Sequence, residues 1–248
     1  MHKKLAVIIL AAGEGKRMQS SRAKVLEPLA GKPLLHHVLN ALNSLPVDRL
    51  LVVVGFQSSQ VRQEFAKRGI EFIEQKEQLG TGHAILQAEE ALKQFSGDVL
   101  VLCGDMPFIK TTTLHQIVEQ HGTEGAACTL LTLKSRNKND YGRIIRGENR
   151  EILRIVESRD ASPEEIEVDE FNSGVYLFDK DFLFNALGSL GTENSQNEYY
   201  LTDTIQICAR EKLHIHALVT DDSDEIFGIN SQEDLKKAER LISGREGG

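Results

Sequence analysis

Leu5-Ala6-Val7-Ile8-Ile9-Leu10-Ala11-Ala12-Gly13-Glu14-Gly15-Lys16-Arg17-Met18 is the stretch that decides the architecture. Its first six residues, Leu5–Leu10, are all apolar and rich in Val and Ile. A run this short and β-branched predicts a central parallel strand covered on both faces. The strand empties into a glycine-bearing turn, and in an open α/β sheet the turn beyond a strand's carboxyl end is where ligands bind. Gly13 and Gly15 would let the backbone approach an anion and aim N–H groups at it. Ala11 and Ala12 are small enough to leave room for a base or ribose. Arg17, with Lys24 further on, adds two cations beside this loop. Two familiar phosphate loops are excluded: Met18 stands where the dinucleotide fingerprint needs its third glycine, and no Gly-Lys-Ser/Thr ending follows. The plain alternative is a glycine-rich turn with solvated basic residues.

Strand and helix patterns alternate outward from this point. Pro33 opens a helix with Leu35, Val38, Leu39 and Leu42 at helical spacing. Leu50–Val54 is a second buried strand, Gln60–Arg68 a helix, and Ile70–Glu74 a short strand. Thr81 is placed to cap a helix whose face carries Ala84, Ile85, Ala88, Ala91 and Leu92. Val99–Leu102 is another central strand. These units imply an α/β fold, an open and mostly parallel sheet flanked by helices with right-handed crossovers. The second half is less regular. Strands are expected at Ala127–Leu133, at Tyr141–Ile145 and Ile152–Glu157 around the turn Gly147-Glu148-Asn149, at Gly174–Phe178 and at His214–Val219. Helices are expected at Asp181–Leu187 and Asp203–Arg210, with Ser231 capping the last one. Acidic Ser158–Glu170 reads as a mobile loop. One domain is expected over 1–243, with halves 1–135 and 136–230, a final helix 231–243, and a frayed tail over 244–248.

The 248 residues carry a formal net charge of -8, which disfavours sequence-independent binding to nucleic acid or to an anionic membrane surface. An anionic ligand must then meet a local cluster of cations, as at Arg17 and Lys24. Cys103, Cys128 and Cys208 are odd in number and far apart, so a disulfide framework or zinc site is not expected and a cytoplasmic setting is. The apolar start is too short to span a bilayer, and meets Gly13 and Glu14 with no cleavage pattern.

Two further stretches carry chemistry. Gly104-Asp105 follows an apolar strand, where a carboxylate is well placed to hold Mg²⁺, a cation that takes a few oxygen ligands and keeps the rest for water and phosphate. The alternative is a turn aspartate ahead of Pro107. Asn230, after Phe227-Gly228-Ile229, is the candidate second oxygen ligand, although Asn before a helix is commonly a cap. Gln75 and Gln78–Ala84 form the other stretch. A glutamine both donates and accepts, which suits a base edge, and Gly80 and Gly82 would admit a base or sugar close to the backbone. The pairs His36-His37 and His214/His216 lack a third ligand in the sequence and read as surface or structural.

Taken together, Leu10–Met18 with Lys24, Gln75, Leu79–Ala84, Gly104-Asp105, Tyr141-Gly142-Arg143, Glu157, Asn172-Ser173-Gly174, Glu198–Asp203 and Gly228–Asn230 resemble the nucleotide-sugar pyrophosphorylase family. Within it, they are most similar to the uridylyltransferase domain of bacterial N-acetylglucosamine-1-phosphate uridyltransferases. The resemblance runs from about Leu5 to the final helix. It implies a Rossmann-like fold with a smaller, β-rich sugar-binding part. It also implies Mg²⁺-dependent transfer of uridylyl from UTP to N-acetylglucosamine 1-phosphate, with release of pyrophosphate. Leu10, Ala11, Ala12, Gly13, Gln75, Gly80, Thr81, Cys103 and Gly104 would surround the nucleotide. Arg17 and Lys24 would meet the phosphates and, with Asp105, carry catalysis. Gly142, Glu157 and Asn172 would hold the sugar, Tyr199 and Thr202 would shape its pocket, and Asp105 with Asn230 would hold the metal.

Cys103 departs from the Tyr common in the family, which leaves another sugar 1-phosphate such as glucose 1-phosphate as an alternative. A non-catalytic nucleotide-sugar sensor is the alternative of another class. As a nucleophile Cys103 has no evident base, and the reaction needs none. No hexapeptide repeat of an acetyltransferase β-helix follows, so either a monofunctional enzyme or a piece of a bifunctional one is implied, and a monomer is expected.

Overall fold

The apolar run becomes strand β1 (Lys4–Ala11), at the heart of a nine-stranded sheet. The structure is a computed structural model that describes residues 3–136 and 140–246. Side chains on a strand alternate between faces, and here both faces are covered. Leu5, Val7, Ile9 and Ala11 enter one apolar cluster, while Ala6 and Ile8 enter another. Each large side chain so buried contributes on the order of 1.5–3 kcal/mol.

After β1 come single 3₁₀ turns at Lys16–Met18 and Lys24–Leu26, then a tiny hairpin of β2 (Pro28–Leu29) and β3 (Lys32–Pro33). There follow α1 (Leu34–Ala41), β4 (Val47–Val54), α2 (Ser58–Glu64), β5 (Glu71–Glu74), α3 (Thr81–Leu86), α4 (Glu89–Leu92) and β6 (Gly97–Cys103). The second half runs α5 (Thr111–Glu124), β7 (Cys128–Lys134), β8 (Arg143–Arg146), β9 (Ile152–Val156), α6 (Pro163–Ile166) and β10 (Glu170–Asp179). It ends with α7 (Lys180–Leu187), α8 (Asp203–Arg210), β11 (Ile215–Thr220) and α9 (Gln232–Glu246).

The sheet order is β11-β7-β10-β6-β1-β4-β5. β1 pairs in parallel with β4 and β6, β4 with β5, and β7 with β11. Only β10 runs against its neighbours β6 and β7 on this path, and it also carries the antiparallel β8–β9 hairpin. The mostly parallel sheet expected from the sequence is therefore present.

Several local expectations change. Thr81 is the first residue of α3 rather than its cap; Gly80 precedes it, and the Thr81 hydroxyl instead accepts from Leu201 N at 3.1 Å. The helix expected from Thr81 to Leu92 is two, α3 and α4. Ser158–Glu170 is not simply a loop: Ser162 and Glu165 form a reciprocal capping box for α6, and Glu170 already belongs to β10. The last helix continues through Glu246, past the expected end at 243; of the tail, 247–248 lie outside the described residues.

Candidate active site

Adjacent parallel strands deliver the site. The carboxyl ends of β6, β1, β4 and β5 open onto Cys103–Asp105, Leu10–Gly13, Gly55 and Gln75 respectively. Gly104 N donates to Leu10 O at 2.9 Å, and Gln75 N to Val54 O at 2.8 Å, so the ladders run one step past the strands. Between these ends lies a cleft of about 280 Å³. Leu10, Ala11, Ala12, Gly13, Lys24, Gln75, Gly80, Thr81, Cys103 and Asp105 line it, together with Gln78 and Glu198. Gly104 is close behind the wall, where an added Cβ would stand 3.1 Å from Leu10 O and from Val25. Arg17 does not line this cleft; it is an exposed residue on the neighbouring 3₁₀ turn.

Three segments remote in sequence meet at one cation position. Lys24 Nζ forms an ion pair with Asp105 Oδ2 and donates to Asn230 Oδ1 at 2.9 Å. The Lys24 and Asp105 side chains are 16% and 14% exposed, shielded enough for the pairing to be felt. Packing explains the meeting. Met18, Leu29, Leu34, Phe108, Ile229 and Leu235 form their own apolar cluster, so the glycine loop and the Phe227–Asn230 segment are bolted together. Gln232 Nε2 adds a bond to Met18 O at 2.9 Å, and Ile229 N donates to Asp105 O at 2.9 Å. Met18, where a dinucleotide loop would have glycine, is thus an anchor. Ser231 takes the capping of α9 with Asp234, which releases the Asn230 side chain toward Lys24.

The donor set suits a small hard cation. A carboxylate and an amide oxygen, both neutral-to-anionic and converging on the same positive charge, are the ligand types Mg²⁺ prefers. Asp105 and Asn230 therefore fit the metal, with Lys24 as an adjacent cation.

The glycines differ in purpose. Gly13 has nothing within 4 Å of a would-be Cβ, whereas at Gly15 (φ +64°) that atom would lie 2.9 Å from Lys24 Cβ. At Gly80 (φ +108°) it would meet Tyr199 O at 2.6 Å and Tyr199 N at 2.8 Å. A side chain at Gly80 or Gly82 would thus run into the Glu198–Leu201 segment, while Gly80 also lines the cleft. Gln75 is buried; its amide nitrogen is committed to Gly80 O at 3.1 Å and to His83 Nδ1 at 3.0 Å. Its oxygen is the end left to accept.

Of the expected sugar residues, Gly142, Glu157, Asn172 and Thr202 form a connected group that does not line the cleft. Asn172 N donates to Gly142 O at 2.8 Å, and Thr202 Oγ1 donates to Glu157 Oε1 at 3.1 Å. A Cβ on Gly142 would come within 3.5 Å of Glu157 Oε2. Tyr199 stands apart from that group, its ring 6.3 Å from that of His83. Glu157 lines a separate hollow of about 400 Å³ with Asp160 and Asp203. Burial, and then these neighbouring carboxylates, push the Glu157 carboxyl above its ordinary range, opposed by the Thr202 bond. Gly174 (φ +83°) sits in an irregular part of β10, and a Cβ there would reach Cys103 Sγ at 3.2 Å, which links the two groups. Burial, with Asp105 nearby, pushes the Cys103 thiol up to about 12. It stays protonated and is no nucleophile.

His83, Gln78, Glu198 and Gly174 were not picked out individually by sequence reasoning. His83 and Glu198 sit inside stretches that were quoted, but nothing in their spacing tells a supporting residue from a lining one.

A cleft at the strand carboxyl ends, a glycine-bearing loop, and a lysine set against two oxygen ligands define a nucleotidyltransferase-type site on a Rossmann-like sheet. The chain belongs to the MobA-like NTP transferase domain family, which it matches over residues 7–169. It is similar to "Bifunctional protein GlmU" of Pelobacter propionicus, 46% identical over 97% of this chain and 53% of that one. It is also similar to the proteins of that name from Oceanobacillus iheyensis (41%, covering 96% and 52%) and Desulfotalea psychrophila (40%, covering 97% and 71%). The chain spans about half the length of most of these curated relatives. Among solved structures, UDP-glucose pyrophosphorylase complexed with UDP-glucose superposes with a TM-score of 0.78 at 19% identity, covering 98% and 99% of the two chains. That likeness supports the fold. No helix among the described residues is long and apolar enough to cross a membrane.

Proposed function

We propose that the chain transfers uridylyl from UTP to N-acetylglucosamine 1-phosphate, giving UDP-N-acetylglucosamine and pyrophosphate, in the cytoplasm. The observation that carries this reading is the meeting of Lys24, Asp105 and Asn230 at the cleft mouth. The resemblance of the site motifs to N-acetylglucosamine-1-phosphate uridyltransferases suggests the particular substrates. Residues 1–135 would serve the nucleotide and 136–230 the sugar.

The attacking sugar-phosphate oxygen is already anionic, so no general base is required; the task is positioning and charge neutralisation. Leu10–Gly13 and Gln75 would seat the uridine, with the Gln75 oxygen accepting from the base edge. Lys24 would stabilise charge gathering on the triphosphate, and exposed Arg17 would swing onto its outer phosphates. Asp105 and Asn230 would hold Mg²⁺, which would supply positive charge to offset that of the phosphates. Gly142, Glu157, Asn172 and Thr202 would receive the sugar, with Tyr199 closing toward it. Cys103 leaves a smaller wall there than a tyrosine would.

Pyrophosphate release from the purified chain with Mg²⁺, across nucleoside triphosphates and sugar 1-phosphates, tests this. Release with UTP and N-acetylglucosamine 1-phosphate, abolished by EDTA and restored by Mg²⁺, is the expected outcome. Release only with another sugar phosphate would move specificity to the wall at Cys103. UTP binding with no release from any pair would leave a sensor.

A further inference from the structure

At the other end of the sheet, side chains from a helix and the edge strand meet in a way unrelated to the cleft. His214 directly precedes β11 and His216 lies within it, so the two alternate positions share one face. Gln120 and Glu124 are four apart on α5 and share one face of the helix. The register of β11 against β7, Ile215 opposite Cys128 and His216 opposite Thr129, brings the two faces together. Gly125 (φ +60°) ends α5 in a left-handed turn, and Ala127 N donates to His214 O at 2.9 Å, which fixes the approach.

Glu124, His214 and His216 each offer a ligand atom, and these atoms lie within 4.8 Å of one another. His214 Nε2 is 3.8 Å from Glu124 Oε2. His216 Nε2 lies 2.7 Å from Gln120 Oε1. An amide oxygen can only accept, so Nε2 donates and the other ring nitrogen keeps its lone pair. Holding a histidine's second nitrogen in this way is how metal-binding rings are oriented. The pair that has no third ligand in the sequence therefore acquires one in the fold.

We propose that Glu124, His214 and His216 form a binding site for a borderline divalent transition metal of the Zn²⁺ class, which ties edge strand β11 to α5. Two imidazoles and one carboxylate select Zn²⁺, Co²⁺ or Cu²⁺ over Mg²⁺. The Glu124 and His214 side chains are 46% and 51% exposed, so water completes the coordination. The site is separate from the Mg²⁺ ligands Asp105 and Asn230, which lie at the opposite, carboxyl ends of the parallel strands.

The test is titration of the untagged chain with Co²⁺ in excess Mg²⁺, read by the visible d–d absorption of protein-bound cobalt. One equivalent should bind and be displaced by Zn²⁺. His214→Ala and His216→Ala should each weaken Co²⁺ binding by at least about tenfold, the scale lost when metal sites are disturbed. Zn²⁺ should raise the melting temperature of the wild type and not of the double variant. Wild type without a cobalt spectrum, or a double variant that keeps it, overturns the proposal. A Cu²⁺ electron paramagnetic resonance spectrum of the wild type decides without any variant: nitrogen couplings from two imidazoles support the site, and their absence overturns it.

Discussion

Two glycine-bearing loops flank the cleft, and their glycines meet different surroundings. In Leu10–Met18, Gly13 faces open space at the cleft and Gly15 clears the stem of Lys24. In Leu79–Gly82, both glycines are pressed against the Glu198–Leu201 segment, and Tyr199 N donates to Leu79 O while Gly82 N donates to Tyr199 O, each at 2.8 Å. A glycine in a sequence reports that something comes close to the backbone. It does not report whether that something is ligand or chain. The first loop is built around Lys24, the second around the segment that carries Tyr199 and Thr202.

The largest expected effect lies in the first loop's partner. Lys24→Ala should lower kcat by roughly 10²–10³, the loss typical of removing one group that stabilises developing charge. Its far-UV spectrum should stay native, because Val25 rather than Lys24 fills the core there. Near-normal turnover would strip the Lys24–Asp105–Asn230 meeting point of its role. Next comes Gly80→Ala. With φ 108° and ψ 174°, Gly80 occupies backbone space essentially reserved for glycine, and the added Cβ collides with Tyr199 backbone. A loss of about 3 kcal/mol is expected, read by urea unfolding. Unchanged stability with lost UTP binding would instead mean that this glycine serves the ligand, as the sequence suggests.

That pair of variants marks the boundary of what was legible. The parallel sheet could be read because Leu5–Leu10, Leu50–Val54 and Val99–Leu102 are apolar on both faces, a pattern with few other solutions. Lys24 and Asp105 stand out in the sequence as a cation and a carboxylate near strand ends, and the fold pairs them at the cleft. Asn230 stands out weakly on spacing and more firmly through the family resemblance, since its position depends on Met18 and Ile229 sharing a core cluster across the whole chain. The purpose of Gly80, and the third ligand beside His214 and His216, depend on long-range packing that no local pattern encodes. The α6 capping box, Ser162 to Glu165, is local, and its signature was hidden by the acidity of its surroundings.

Gly13→Ala sharpens the comparison from the other side. The position has no positive φ and no neighbour within 4 Å, so stability should change by no more than about 0.5 kcal/mol. If the open space there is filled by the nucleotide, the methyl group should weaken UTP binding, by roughly tenfold for about 1.4 kcal/mol of lost contact. Calorimetric titration with UTP reads this directly. Unchanged affinity would place the nucleotide elsewhere along the loop and leave Gly15, beside Lys24, as the glycine that matters.

The smallest effect is expected at Glu157, and its size depends on pH. Burial raises the Glu157 carboxyl above its ordinary range, with Asp203 and Asp160 adding to the rise. A folded state that holds the proton more tightly than the unfolded chain is favoured below the ordinary carboxylate range, and that advantage is lost as pH rises through the raised value. Above it, the folded protein carries a charge that the Thr202 bond only partly relieves. Glu157→Gln keeps an oxygen for Thr202 and removes the charge. Its melting temperature should match wild type near pH 4 and exceed it at pH 7, while turnover with the sugar phosphate falls. A constant difference across that range would mean that Glu157 is stabilised by something other than its proton. A fall in stability at pH 7 would mean that its charge is neutralised within the site, and the sugar side would then be prepared electrostatically before any ligand arrives, as the Lys24 side already is.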